Sequence, residues 1–134
     1  MVTCNLCYST VVTLNNYNMK IVRCKWFPPK GYSAIMLVWW LIVKEDYQVT
    51  DRLICHEGIH SRQQKEMLIV FFFLWYGVEF LVRLIQYRNW DKAYRNISFE
   101  REAYSNQDDA GYLKGRKHYA WMRYIVITKT ENSV

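Results

Sequence analysis

His56-Glu57-Gly58-Ile59-His60 is the one stretch of this chain whose residue types and spacing imply chemistry unaided. On an α-helix, residues four apart sit one above the other, so both imidazoles can reach a single ion. Neutral imidazole nitrogens suit zinc, which accepts them at about 2.0–2.1 Å. Glu57 projects to the side, where it can take a proton from a metal-activated water and pass it to a leaving amine. The expected cofactor is therefore Zn2+, the expected reaction hydrolysis of peptide bonds, and the expected general base Glu57. A catalytic zinc takes three protein ligands and leaves one position open. The candidates for the third are Glu100 and Glu102 on a later helical stretch, and His118, the only other histidine.

These residues need elements to hold them. Thr50 or Asp51 makes an N-cap for a helix that starts near Arg52 and carries the motif through Gln63, Gln64 and Glu66. Upstream, residues 19–31 read as a strand running into a Pro-Pro-Lys-Gly turn, and residues 32–45 as a buried strand or tight hairpin. Downstream, residues 67–85 (MLIVFFFLWYGVEFLVRLI) approach the length of a membrane span, but Glu79 and Arg83 interrupt them in a favourable i,i+4 order. Charges inside a span are costly, so this run is expected as buried core, a helix or a hairpin broken at Gly77, with membrane insertion the competing reading. Residues 88–95 read as a polar connector, Ser98 opens the next helix, and residues 112–127 form a last aromatic, basic helix or helix–strand. The expected fold class is mainly α with a small β element (α+β), a minimal zincin-like helical core. Residues 1–18 read as an accessory extension, 19–127 as one domain and 128–134 as a loose tail.

With the motif and the downstream carboxylates together, the chain resembles the gluzincin metallopeptidases, in which H-E-x-x-H on one helix is joined by a Glu from a later one. In several branches that Glu opens an E-x-x-A motif, and Glu100-Arg101-Glu102-Ala103 matches it. The resemblance implies the ligand set His56, His60 and Glu100, with Glu102, Tyr104 and His118 left as alternative ligands or supporting residues. Tyr104 stands where the family pattern has Asp or Asn, so the contact to a histidine would fall to Gln107 or Asp108, one turn on. Most of the chain after Met19 is also similar to small proteins of Bacteroidetes and their phages, a likeness that brings no substrate. Tyr104, Tyr112 and His118 are candidates to stabilise an oxyanion, although core packing explains any single tyrosine among eleven.

Composition bounds the rest. The chain has 134 residues, 51% hydrophobic and 17% aromatic, enough to build one core, which excludes intrinsic disorder. The formal charge of +6 favours anionic partners, but no nucleic-acid motif accompanies Arg116, Lys117 or Arg123, which read as a solvated face. The expected partner is a peptide or protein substrate, with no nucleic acid, and with a membrane as a second possibility through residues 67–85. The oligomeric state is left open. Cys4-x-x-Cys7 has no second pair to complete a zinc ribbon, so the four cysteines read as unpaired thiols, and Cys55 is not counted as a ligand. No signal-peptide pattern opens the chain, which points to a cytoplasmic or membrane-associated location on the cytoplasmic side. The competing function is a metal-stabilised or membrane-associated structural protein without catalysis.

Overall fold

The computed structural model describes the strand Cys7–Val11 and residues 19–125. The expected tail and Cys4 lie outside these described residues. The fold is mainly helical with one small sheet, the class the sequence implies. Strands β1 (Cys7–Val11), β2 (Lys20–Cys24), β3 (Ala34–Leu37) and β4 (Trp40–Lys44) form a sheet in the order β1-β2-β4-β3. β2 and β4 pair in parallel, while β3 and β4 form an antiparallel hairpin whose register sets Leu37 against Trp40. β1 pairs with β2, so residues 7–11 of the extension add an edge strand. Cys24, expected as a free thiol, is disulfide-bonded; the sheet creates a proximity that spacing along the chain does not reveal. Cys55 is free and buried.

Helix α1 (Asp51–Glu66) runs through the centre of the molecule. The Thr50 hydroxyl caps it, accepting from Leu53 N–H at 3.2 Å, and Asp51 in the first turn complements the helix dipole. Its apolar residues divide between two cores. Ile54 packs with Met36, Leu41 and Val43 of the sheet, whereas Cys55 and Ile59 pack with Ala103 and Leu113 on the opposite side. Gly58 allows that second approach: a Cβ there would stand 2.8 Å from Leu113 Cδ1.

The β3–β4 turn is clamped to α1. Val38 holds a left-handed φ of 52°, a conformation that costs a β-branched residue about 1–3 kcal/mol. Gln64 Oε1 accepts from Val38 N–H at 2.7 Å, Gln64 Nε2 donates to Met36 O at 2.8 Å, and Ser61 Oγ donates to Val38 O. Three hydrogen bonds to buried groups offset the strain and fix β3 beside the His56–His60 turn.

Helix α2 (Leu68–Tyr87) corrects the expectation of a buried core. It is one unbroken helix through Gly77, and most of its apolar side chains face outward: Val70, Leu74, Leu81 and Ile85 are 75, 62, 59 and 78% exposed. Hydropathy reports what a side chain prefers, not what covers it. Phe72, Glu79 and Arg83 form its buried face. Residues 88–95, expected as a connector, contain helix α3 (Trp90–Arg95), capped by Asn89 Oδ1 on Lys92 N–H at 3.0 Å. Helix α4 (Ser98–Asn106) follows. In place of one long final helix the chain makes the short α5 (Tyr112–Gly115) and a 3-10 turn, Ala120–Tyr124. A third core joins Phe72 of α2 to Ile97, Phe99 and Trp121.

Candidate metal centre

Helix α1 supplies His56 and His60 from consecutive turns, and the first turn of α4 supplies Glu100. α4 is placed by the charges inside the apolar helix. Glu79 of α2 accepts from Ser98 N–H at 3.0 Å and from Ser98 Oγ at 2.6 Å, closing the start of α4, and Arg83 holds Glu79 at 3.1 Å. These two charges point inward and fix the helix that carries Glu100, which explains their presence in so apolar a sequence.

All three donors are buried, and their ligating atoms converge. His56 Nε2 and His60 Nε2 lie 3.2 Å apart, His60 Nε2 lies 3.4 Å from Glu100 Oε1, and His56 Nε2 lies 3.5 Å from Glu100 Oε2. Donors at about 2.0–2.1 Å from a tetrahedral ion are separated by about 3.3–3.4 Å, so the residues present fit such an ion. Glu100 Oε2 gives independent support. It is buried and makes no hydrogen bond among the described residues, with His56 Nε2 3.5 Å away, so it is an anionic oxygen that a bound cation would satisfy. Glu100 Oε1 accepts from the Tyr76 hydroxyl at 2.8 Å.

The outer nitrogens are also held. His60 Nδ1 meets Gln63 Oε1 at 2.8 Å, and Gln63 Nε2 donates to Glu102 Oε2 at 3.0 Å and to Phe99 O at 3.1 Å. Glu102 accepts from Tyr112 at 2.9 Å and from Arg116 Nε at 2.5 Å, and Arg116 also pairs with Glu66. His56 Nδ1 meets the Gln107 amide at 3.2 Å. With its oxygen toward His56, that amide accepts from Nδ1–H, the tautomer that leaves Nε2 free for a metal; turned over, its nitrogen donates to Nδ1 and its oxygen accepts from Arg52.

The structure thus brings His56, His60 and Glu100 together and places the other sequence candidates around them. Glu102 lies outside the cluster, in the Arg116 ion pair. Tyr104 stands edge-on to His56, with ring centroids 4.7 Å apart. His118 is an exposed residue beside Glu66, at 3.4 Å. Asp108 pairs with Arg52 at the surface, so of the two it is Gln107 that contacts His56. Cys55 bonds the carbonyls of Asn106 and Asp109. Arg116, expected on a solvated face, is buried between two carboxylates; nothing near it in the sequence signals this. Tyr76 was also missed, although its position four residues after Phe72 and three before Glu79 puts it on their face.

Electrostatics distinguish the two carboxylates. Burial pushes Glu57 above the usual carboxylate range, opposed by His60, His56 and a backbone hydrogen bond at Met36. Burial acts on Glu100 in the same direction, but His60 and His56 outweigh it and hold Glu100 well below that range. Glu57 lines two cavities. The larger, about 810 Å³, also exposes His56 and Tyr104, and the smaller, about 230 Å³, borders His60, Glu100 and Phe73. Comparison with known proteins returns no matching family model, no matching curated protein and no matching solved structure.

Proposed function

We propose that this chain is a zinc-dependent hydrolase of peptide bonds, with His56, His60 and Glu100 as ligands and Glu57 as general base. The observation that carries this reading is the convergence of three buried donors, one of them a carboxylate whose Oε2 makes no hydrogen bond among the described residues, beside a second carboxylate that borders open space. Two nitrogens and one oxygen at tetrahedral spacing favour zinc over magnesium or calcium, which prefer oxygen donors and higher coordination.

A bound zinc ion supplies Lewis acidity, polarising a carbonyl oxygen and acidifying water at neutral pH. The chain does the remainder. Gln63 sets the His60 tautomer, the Gln107 amide holds the His56 ring at Nδ1, and the Tyr76 hydroxyl orients Glu100. The Glu57 carboxylate, raised by burial, accepts a proton from the attacking water and returns it to the departing amine. Tyr104 lines the larger cavity beside His56, a position from which its hydroxyl can meet a developing oxyanion; Tyr112 and His118 line neither cavity. A metal that merely tied α1 to α4 would be closed by a fourth protein ligand. Three donors among the described residues, next to two cavities, favour turnover over that structural role.

The test is Glu57→Gln, assayed on a fluorogenic peptide library. It should keep its zinc and lose turnover by about 10²–10⁴-fold. Undiminished turnover with zinc bound would remove Glu57 from the mechanism, and wild-type protein that binds zinc but cleaves nothing would favour the structural role.

A further inference from the structure

Helix α2 leaves uncovered a surface that a water-facing helix does not normally carry. At about 100° per residue, its exposed apolar side chains run from Phe73 through Val70, Leu81, Leu74 and Val78 to Trp75, an arc of about 200° with no polar or charged side chain. An apolar stripe facing a core needs only about half of that. The helix is about 30 Å long, so this is also a far larger apolar patch than a soluble monomer exposes.

We propose that this arc is a membrane-docking surface, on which the protein lies with α2 along an anionic lipid bilayer. Three observations select lipid over a second copy of the chain. Exposed cations stand at both ends, Arg62 and Lys65 before α2 and Arg88 and Lys92 after it, while the neighbouring Asp91 is neutralised by Arg95 at 3.1 Å. Charges of one sign flanking both ends of the helix repel a twin docked on it but complement an anionic headgroup layer. Exposed aromatics accompany those cations: Trp39 lies under the Lys65 ammonium at 5.4 Å, and Trp90 packs on Phe80 with ring centroids 4.7 Å apart. Such rings favour the boundary between headgroups and hydrocarbon.

The helix lies along the bilayer and does not cross it. Its inner face is occupied from Phe72 beside His60, through Glu79 on Ser98, to Arg83 on Ile125 O. Crossing would carry the exposed Lys92 and Arg95 of the packed α3 into hydrocarbon, whereas a helix lying flat immerses only its outer arc. Phe73, at the border of that arc, also lines the smaller cavity beside the metal cluster, so the lipid-facing surface and the site are contiguous.

The experiment is flotation of purified full-length protein with phosphatidylcholine–phosphatidylglycerol vesicles. Wild type should float, and Leu74→Glu/Leu81→Glu should lose at least about tenfold of the bound fraction while keeping its circular dichroism and its metal content. Because metal content is read on the same samples, loss of docking is distinguishable from loss of the proposed site. The Trp75 signal, taken as the difference between wild type and Trp75→Phe, should be quenched more by bromines near the top of the acyl chains than near their ends. Wild type that stays unbound overturns the proposal, as does a stoichiometric soluble oligomer cross-linked through α2; deepest quenching at the chain ends overturns the flat geometry.

Discussion

At the scale of single residues, the centre of the molecule is a cluster of two imidazoles and two carboxylates whose charges a bound cation would rebalance. Burial alone would keep His60 neutral, but the Glu100 carboxylate outweighs it and raises the imidazole to about 9 in the metal-free chain. A raised histidine stabilises the fold fully below about pH 6.5, and that contribution fades as pH rises through about 9. Zinc needs the imidazole neutral, so binding must expel this proton. Between about pH 6.5 and 9 the apparent zinc affinity should therefore rise by up to about tenfold per pH unit. Competition against a chelator at several pH values measures this, and an affinity flat across the window would show that His60 is not protonated in the free site. The pairing of His56 and His60 was legible because they are four apart on a capped helix. What was not legible is how each ligand is held, since Tyr76 and Arg116 reach the site only through folding.

At the scale of elements, buried ion pairs hold the helices in register. Arg116, just after α5, joins Glu66 at the end of α1 to Glu102 in α4, and all three side chains are nearly inaccessible. Removing the guanidinium leaves two buried carboxylates facing each other. Arg116→Met should cost about 3–5 kcal/mol in a urea unfolding titration, and adding Glu66→Gln and Glu102→Gln should recover much of it. A cost within about 0.5 kcal/mol would mean that the ion pair plays no part in stability. The second prediction at this scale concerns α4. Glu79→Gln weakens the contact to Ser98, so it should lower zinc affinity by about 10–100-fold although Glu79 touches no ligand; unchanged affinity would uncouple α2 from the centre. The elements that the sequence disclosed carry local punctuation: Thr50 before α1, and polar boundaries on both sides of the β3–β4 hairpin. α3 was hidden because RNWDKAYR is polar in composition, and only the Asn89 cap and the burial of Ala93 make it a helix. The final stretch is apolar enough for one helix, yet Tyr119 at a φ of 56° turns the chain into a 3-10 segment.

At the scale of the whole molecule, the described residues of a basic chain that is 51% hydrophobic resolve into three small cores and one uncovered helix. The fold class was legible from the pattern of apolar runs. The environment of α2 was not, because the same twenty residues suit a protein interior and a bilayer equally well, and only packing separates the two. That packing joins the apolar helix to the His56–His60–Glu100 cluster through Glu79, Tyr76 and Phe72, so both proposed surfaces depend on one small scaffold. The central claim is the identity of the three ligands, and metal content tests it most directly. Elemental analysis of purified protein should find one zinc per chain in wild type and in Glu102→Gln, and loss of that zinc in His56→Ala, His60→Ala and Glu100→Gln. Wild type that takes up no zinc, or Glu100→Gln that retains it in full while Glu102→Gln loses it, would contradict the account.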